Sequence, residues 1–313
     1  MGSDLILSGA VSLLRLLSKA PDHAMSTQKI CDALLMSDDA LASVVSDINS
    51  MDFVVRENGQ SLQLLRSLDF IDAEDIFKKV HGRGRVELLD SIGSTNTVML
   101  ASVHNSVSGD VLIAEIQTAG RGRRENRWQS GICNGVTMSM TWRFPLFFDI
   151  STLAVAIGCS VAEAIESEFS KKIMIKWPND LIADGFKLGG ILIETERDDK
   201  DLAVVIGIGI NVYKVANNQA FISPQPHQGL RNAVSATVIN ALRDCCRTYE
   251  KSGYTLFSRR VEQRDFLKGR QITVEDGGRE LSGQAKGINQ EGTLVITSGG
   301  KDIAIRSGHI SSF

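Results

Sequence analysis

The chain has 313 residues, of which 43% are hydrophobic and 23% charged, as in a globular protein with a sizeable core and two or three domains. Its formal net charge of −3 at pH 7 excludes a global positive field for nucleic acid, so any basic site must be local. The five cysteines are odd in number and lack C-x-x-C spacing, which argues against a disulfide framework or a zinc site and favours a reducing cytoplasm.

Residues 1–65 predict a small helical unit that ends in a hairpin. Helical apolar spacing and Ser/Thr caps predict three helices, in "DLILSGAVSLLRLLSKA", "STQKICDALL" and "SDDALASVVSDINSM". Two alternating runs around Asn58-Gly59 predict the hairpin, and this order is typical of a winged helix-turn-helix. The first apolar run is interrupted by Arg15 and Lys19 and is too short to span a bilayer, so we expect no membrane segment.

The rest of the chain predicts an α+β fold. Residues 66–268 interleave apolar strands such as "DVLIAEIQ", "VTMSMTWRF" and "AVVIGIGINV" with longer helical stretches such as "STLAVAIGCSVAEAIESEF". Residues 269–313 contain short alternating runs separated by Gly-Gly or Glu-Gly turns, which predict a small β-barrel.

A basic, glycine-containing loop follows the strand "VLIAEIQ". The stretch "TAGRGRRENRW", Thr118 to Trp128, carries Gly120 and Gly122, which let backbone N–H groups approach a ligand closely. Its guanidinium groups suit phosphate or carboxylate and belong to Arg121, Arg123 and Arg124. The motif alone leaves two alternatives: a phosphate-wrapping loop, or a solvated basic loop such as an RNA-binding segment.

The stretch "KWPNDLIADGFKLGGILIE" predicts a hairpin with a two-residue turn at Asp184-Gly185. Such a turn places Ile182 opposite Lys187, Asp180 opposite Gly189 and Asn179 opposite Gly190. Lys187 and Asp180 then share one face of the sheet, roughly 7 Å apart along the strand. A salt-bridged surface hairpin is the alternative, but it has no use for two glycines in mid-strand, which instead leave room for a ligand.

Two shorter motifs complete the pattern. "SIGSTNT" puts Ser94, Thr95 and Asn96 where a strand gives way to a helix, a place that attracts anions or polar groups, although plain helix capping is the commoner reason for it. "GIGIN", Gly207 to Asn211, ends an apolar strand with two glycines, which indicates either room for a ligand or tight core packing.

Together and in this order, the motifs resemble those of biotin protein ligases. The family pattern is S-T-N, Q-x-A-G-R-G-R-R-G-R-x-W, K-W-P-N-D, K-x-x-G-I-L-x-E and G-x-G-I-N. This chain has "STN" at Ser94, Gln117 followed by "AGRGRR", "KWPND" at Lys176, "KLGGILIE" at Lys187 and "GIGIN" at Gly207. The resemblance spans nearly the whole chain. The chain is similar to the bifunctional type, which is both ligase and repressor. This similarity implies three domains: a winged helix (1–65), a mixed-sheet catalytic domain related to class II tRNA synthetases (66–268) and an SH3-like barrel (269–313).

The resemblance implies a two-step ligase that uses biotin, ATP and Mg²⁺. Biotin and ATP give biotinyl-5′-AMP, and the acyl group then moves to a lysine of the biotin carboxyl carrier protein of acetyl-CoA carboxylase. A lipoate-type ligase and a repressor without catalysis are the alternatives. A cytoplasmic location, a homodimer through the core sheet and binding to operator DNA are further expectations.

The resemblance also assigns roles to residues. Lys187, Arg123, Asp180 and Lys176 are the catalytic candidates, with Asp180 orienting the acceptor amine or Mg²⁺. The biotin-binding set comprises polar side chains, loop residues and space-making glycines: Ser94, Thr95, Asn96, Gln117, Gly120, Arg121, Gly122, Arg123, Lys187, Gly190, Gly207 and Gly209. The ATP or adenylate set consists of cations, amides and one indole expected near the adenine: Arg121, Arg123, Arg124, Trp128, Lys176, Asn179, Lys187 and Asn211.

The chain departs from the family pattern in two places. Glu125 and Asn126 replace the usual Gly-Arg after "GRGRR", so we expect a stiffer loop that holds the adenylate less tightly. Residues 1–65 carry four Lys/Arg and eight Asp/Glu, a net charge of −4, and the expected recognition helix has no basic residue. Because phosphate contacts supply most non-specific affinity, charge opposes the DNA binding that the resemblance favours. We expect the charged stretch 196–201 either to hinder dimerisation at the edge of the core sheet or to determine how the two copies pair there.

Overall fold

A computed structural model of the chain describes residues 2–197, 199–214, 218–276 and 278–313. The N-terminal region holds three helices and a three-stranded antiparallel sheet of order β1-β3-β2. Their bounds are α1 Gly2–Lys19, β1 Ala24–Ser26, α2 Thr27–Leu34, α3 Asp38–Met51, β2 Val55–Asn58 and β3 Ser61–Leu64. Ser26 and Ser37 cap α2 and α3 as expected, because each side chain accepts a backbone N–H in the first turn. Asn58 pairs with Ser61, so the turn lies one residue later than predicted, at Gly59 and Gln60.

A seven-stranded mixed sheet forms the centre of the molecule, in the order β4-β5-β6-β10-β9-β8-β7. Only the pair β4 and β5 is parallel, and the other neighbours described are antiparallel. The strands are β4 Val86–Ile92, β5 Val111–Gln117, β6 Gly135–Pro145, β7 Met174–Lys176, β8 Asp180–Ala183, β9 Phe186–Arg197 and β10 Asp201–Asn211. The α+β prediction is therefore confirmed.

Helices cover the sheet and supply its core. They are α4 Ala73–Phe77, α5 Thr95–Ala101, α6 Leu153–Phe169, α7 Leu230–Ser252 and α8 Ser258–Gln263. Side chains of α6, α7 and the strands form one buried cluster, which includes Ile157, Val238 and Ile206. All five cysteines are buried and unbridged. Within the described ranges, no helix is long and apolar enough to cross a membrane.

The β8–β9 hairpin differs from its predicted register by one residue. Ala183 pairs with Phe186 and Ile182 with Lys187, as the Asp184-Gly185 turn requires. A bulge between Leu181 and Ile182 then shifts the ladder, so Asp180 faces Gly190 rather than Gly189. The predicted pairing of Asn179 with Gly190 is wrong for the same reason, since the Asn179 carbonyl accepts the N–H of Ile191.

The C-terminal strands form a five-stranded antiparallel sheet of order β14-β13-β12-β11-β15. They are β11 Gln271–Asp276, β12 Arg279–Ile288, β13 Leu294–Ser298, β14 Lys301–Ile305 and β15 His309–Ser312. Ile272, Val274 and Leu294 join the core of the central sheet. The central and C-terminal sheets are thus packed around common apolar residues. Closure of the smaller sheet into a barrel, like the three domain boundaries, stays a prediction.

A buried ion pair ties the N-terminal region to the central sheet. Arg231 of α7 contacts Glu115 of β5 at 2.7 Å, and both side chains are almost fully buried. Arg231 also donates to the carbonyl of Asp69, and Glu115 accepts the N–H of Ile71. The chain that leaves the N-terminal region is therefore fixed by hydrogen bonds to two elements of the core.

Candidate active site

A cavity with about 960 Å³ of empty space, its open mouth included, lies against the central sheet. The start of α5, the end of β5, the loop 118–128 and strands β6 to β10 contribute to its walls, and residues 308–310 of the C-terminal region add a further wall. Most of the predicted site residues line it: Ser94, Thr95, Asn96, Gln117, Arg121, Gly122, Arg123, Arg124, Trp128, Lys176, Asn179, Asp180, Lys187, Gly190, Gly207 and Gly209. The sequence motifs, which are far apart in the chain, therefore meet at one cavity.

Two of the predicted site residues, Gly120 and Asn211, lie behind the cavity lining. A Cβ at Gly120 would lie 2.6 Å from the carbonyl oxygen of Trp128 and 3.1 Å from Nε2 of Gln117, so this glycine permits close packing beneath the loop. Asn211 is buried, and its amide donates to the carbonyl of Lys187 at 3.4 Å. Both residues support the cavity without lining it.

A hydrogen-bonded group of polar side chains forms the floor, and all of them except the half-buried Gln117 are buried. Gln117 Oε1 accepts the backbone N–H of Thr95 at 2.8 Å and lies 3.1 Å from its hydroxyl. Ser139 of β6, fully buried, lies 2.7 Å from the Thr95 hydroxyl and 2.5 Å from Asn96 Oδ1. Because amide oxygen only accepts, the single Ser139 proton belongs to the bond with Asn96. Thr95, Asn96 and Gln117 are thereby held in fixed orientations.

Asn96 has its amide occupied within the protein. Its Nδ2 donates to Glu194 Oε2 at 2.9 Å and to the carbonyl of Leu192 at 3.4 Å. A Cβ at Gly207 would lie 2.2 Å from Asn96 Oδ1, so this glycine makes room for Asn96. The space predicted from "GIGIN" therefore exists, and at Gly207 a side chain of the protein fills it.

Each of three arginines in the loop is tied to a different element. Arg121 contacts Glu194 of β9 at 2.7 Å, Arg123 donates to Asn179 Oδ1 at 3.3 Å, and Arg124 contacts Glu275 of β11 at 2.8 Å. Arg121 and Arg124 thus have carboxylate partners, whereas the bond of Arg123 goes to a neutral amide. Burial, together with the charge of Arg124, lowers the pKa of Arg123 despite the opposing effect of Asp180. Of these three arginines, Arg123 is therefore the one whose charge is least compensated.

Trp128 ends the loop and lies against the sheet. A Cβ at Gly209 would come within 2.3 Å of its ring, so the indole occupies the space that this glycine leaves. Lys187 Nζ lies 5.8 Å from the centre of the ring. The indole N–H is buried and has no hydrogen-bond partner among the described residues.

Lys187 and Asp180 meet as the hairpin predicted, with Nζ 2.7 Å from Oδ1. Lys176 lies nearby, with Nζ 4.1 Å from the centre of the Phe313 ring. Burial lowers the pKa of Lys176, Asp180 raises it and Lys187 lowers it further, and the net shift is downward. Of the described lining residues, Asp180 alone carries a carboxylate, against six arginines and lysines: Arg121, Arg123, Arg124, Arg127, Lys176 and Lys187. Such a cavity favours an anionic ligand.

The sequence motifs missed three parts of this site. Glu194 joins Arg121 to Asn96, and its position as the last residue of "KLGGILIE" is a signal that would have found it. Ser139 lies within an apolar strand, where nothing in the sequence marks it. The wall formed by Gly308, His309 and Ile310 depends on how the C-terminal sheet packs, which no local pattern reports.

The described residues hold no cluster of three or more His, Cys, Asp or Glu that is suited to a metal ion. Asp180, the one carboxylate among the described lining residues, is engaged by Lys187. A metal bound by protein ligands alone therefore does not fit this cavity, whereas Mg²⁺ held mainly by substrate phosphates needs only one or two protein carboxylates.

Comparison with known proteins identifies the family. Residues 88–211 match the Biotin/lipoate A/B protein ligase family, and residues 268–311 match the Biotin protein ligase C terminal domain. The bifunctional ligase/repressor BirA of Escherichia coli K12 is 31% identical over 301 residues, which cover 93% of this chain and 92% of that protein. The chain belongs to the biotin protein ligase family.

Other relatives agree with this membership. The bifunctional ligase/repressor BirA of Bacillus subtilis is 30% identical over 307 residues, covering 91% of this chain and 92% of that protein. A mutant biotin protein ligase from Aquifex aeolicus, solved in complex with biotin, is 24% identical with a TM-score of 0.63, covering 72% of this chain and 97% of that one. At this identity the structural likeness shows the fold, and it confirms the biotin protein ligase fold for this chain.

Proposed function

We propose that this chain is an ATP-dependent biotin ligase that forms biotinyl-5′-AMP and transfers biotin to a lysine of a biotin carboxyl carrier protein. The observation that carries the proposal is the convergence of Lys187 and the arginines of the loop on one cavity, whose described lining residues include a single carboxylate. Two unit charges 4 Å apart repel by about 4 kcal/mol at an effective dielectric constant of 20, so a carboxylate and a triphosphate need such cations to meet.

In the first step, a biotin carboxylate oxygen attacks the α-phosphorus of ATP, and the bond from that phosphorus to the bridging oxygen breaks, releasing pyrophosphate. We assign Lys187 to the oxygens that gain charge as this happens, for which it exchanges its contact with Asp180. Arg123 and Lys176, whose pKa values burial lowers, gain most from an anionic partner. Asp180 is the lining carboxylate that would hold Mg²⁺, whose chemistry is to neutralise the phosphate oxygens of ATP.

In the second step, the amine of the acceptor lysine attacks the carbonyl carbon of the mixed anhydride, AMP leaves and the nitrogen loses a proton. Freeing that amine at pH 7 from a pKa near 10.4 costs about 4.6 kcal/mol. Asp180 is a carboxylate already bonded to Lys187, so we assign it to orienting the amine rather than to removing its proton.

The test of the ligase proposal is biotin-dependent exchange of labelled pyrophosphate into ATP. We expect exchange with biotin and none with lipoate, and a loss of about 10²- to 10³-fold in Lys187→Met, the range found for a lost transition-state donor. Lys172→Met, an exposed lysine outside the cavity, is the matched control and should exchange normally. Exchange with lipoate alone, or full exchange in Lys187→Met, would contradict the proposal.

We further infer that residues 1–65 form a winged helix-turn-helix with weak affinity for DNA. The arrangement of α2, α3 and the β2–β3 hairpin supports the fold. The solvent face of α3 presents Asp38 and Asp39, and α3 contains no Lys or Arg. The helix that would enter the DNA groove therefore offers no cation to the phosphates. Association as a homodimer stays a prediction.

Fluorescence anisotropy with DNA from upstream of the chain's own coding region tests this inference. At about 0.15 M salt, with biotin and ATP present, we expect no specific complex at nanomolar protein. The variant Asp38→Lys with Asp39→Lys should bind DNA more tightly, and its affinity should fall more steeply with salt, by a log–log slope of about 0.9 for each added phosphate contact. Nanomolar binding by the natural sequence would overturn the inference.

A further inference from the structure

The arginine loop, residues 118–128, reaches the C-terminal sheet through one pair of residues. Arg124 Nη1 donates to Glu275 Oε2 at 2.8 Å, and its Nη2 donates to the backbone carbonyl of Glu275 at 3.3 Å. Glu275 belongs to β11, whereas the cavity floor belongs to the central sheet. Because two nitrogens of one guanidinium engage one residue, the pair fixes direction as well as charge.

The backbone of the loop also depends on this contact. Arg124 has φ +53°, in the left-handed region that non-glycine residues rarely adopt. Such a conformation persists where neighbouring groups hold it in place. With this backbone conformation, the neighbouring side chains of Arg123 and Arg124 point in different directions. Arg123 donates to Asn179, and Arg124 donates to Glu275. Release of Arg124 would remove one of these restraints.

The charges on β11 and β12 explain why Glu275 needs a partner. Glu275 lies directly opposite Glu280 in the antiparallel ladder. Like charges in that arrangement repel, and Arg124 supplies the opposite charge. Glu280 is exposed and has no ion pair within the described part of the chain, so it provides a control of equal charge on the same sheet.

We propose that Glu275 is a positioning residue that holds the arginine loop over the cavity through Arg124. The C-terminal sheet then influences how long the adenylate stays bound, in addition to forming the cavity wall at residues 308–310. This inference rests on the proposed ligase function for its consequence, but the contact itself is independent of any substrate.

The first experiment measures hydrogen exchange of peptides covering residues 118–128 in the ligand-free full chain. Glu275→Gln should exchange about two to five times faster there than the natural sequence, the range expected from one exposed ion pair. Glu280→Gln makes the same change of charge but leaves the Arg124–Glu275 pair intact, so it should not speed exchange. Equal exchange in all three proteins would overturn the proposal, whatever the chain's enzymatic activity.

The second experiment measures the rate at which purified adenylate complexes release their ligand. Glu275→Gln should speed release by about two to five fold, and it should add nothing in the background of Arg124→Gln, because the pair is then already broken. An equal effect of Glu275→Gln in both backgrounds would show that Glu275 acts by another route. If neither the natural sequence nor any variant forms adenylate, the ligase proposal fails. The hydrogen-exchange result still decides whether Glu275 positions the loop.

Discussion

The residues of the cavity differ in how far their charges are already compensated. Lys187, Arg121 and Arg124 each have a carboxylate partner, whereas Arg123 contacts an amide and Lys176 an aromatic ring. A phosphate or carboxylate ligand must displace a carboxylate from each cation of the first group, but only a neutral partner from each cation of the second. The sequence placed all five cations at the site, but their pairing depends on tertiary contacts with Glu194, Glu275 and Phe313 that no motif encodes.

Asp110 permits a prediction of pH dependence at a single residue. Burial alone would raise its pKa, but hydrogen bonds from the backbone N–H groups of Arg85 and Val107, with the Arg85 guanidinium, outweigh burial and leave the pKa below its ordinary value. A carboxyl whose folded pKa is depressed stabilises the fold above its unfolded pKa, near 3.9, and the contribution disappears as pH falls through the folded value.

We therefore expect Asp110→Asn to lower the free energy of unfolding by about 1.5 to 3 kcal/mol at pH 7, the range for hydrogen bonds to a charged group. Urea unfolding followed by circular dichroism from pH 7 to pH 3 is the measurement. The difference from the natural sequence should shrink as pH falls. The exposed residue Asp39 provides the control Asp39→Asn, and a difference for Asp110→Asn that stays constant with pH would contradict the assignment.

At the scale of elements, alternation and capping predicted most helices and strands, and turn chemistry predicted both hairpins. The predictions failed where a single bulge shifts the strand pairing and where a strand is very short. The bulge at Leu181 and Ile182 shifts the pairing of Asp180, and the strands β1 and β15 are too short for periodicity to identify. The mixed order of the central sheet was not available from the motifs themselves. The family resemblance implied that the sheet is mixed, and the strand order became known only from the structure.

The close approach of Trp128 to β10 gives a prediction for this element. In Gly209→Ala the new methyl carbon would lie 2.3 Å from the indole, so the ring must move, although the backbone at this position tolerates a side chain. We expect altered tryptophan fluorescence and at least a tenfold weaker adenylate complex, since a misplacement near 1 Å can change catalysis 10²-fold.

The helical residue Gly158 supplies the matched control. A Cβ there meets Ile191 at 3.5 Å, an ordinary contact, so Gly158→Ala should preserve both fluorescence and ligand binding. Stopped-flow fluorescence with biotin and ATP compares the three proteins. Unchanged ligand affinity in Gly209→Ala would mean that Trp128 is not held against β10 when the site is in use.

At the scale of the whole molecule, the pair Arg231–Glu115 joins three parts of the chain. In Arg231→Met, Glu115 stays buried without a cation, and removing one partner of such a pair destabilises by about 3 to 5 kcal/mol. The urea midpoint measures this change. Arg247→Met, which breaks the exposed pair with Asp244, should cost less than about 1 kcal/mol.

The double variant Glu115→Gln with Arg231→Met separates charge from packing. Removing both charges should restore part of the loss, because no uncompensated ion is then buried. A double variant that is no more stable than Arg231→Met would assign the effect to lost hydrogen bonds with the carbonyls of Asp69 and Gly135. This network was invisible in the sequence, since its members lie 44 to 162 positions apart.

The wall at residues 308–310 has a consequence for biosynthesis. These residues leave the ribosome after every other residue that lines the cavity. While they are still inside the exit tunnel, the wall that they form is missing from the cavity. The complete binding cavity is therefore assembled only after the C-terminal sheet has been synthesised and has packed against the central sheet.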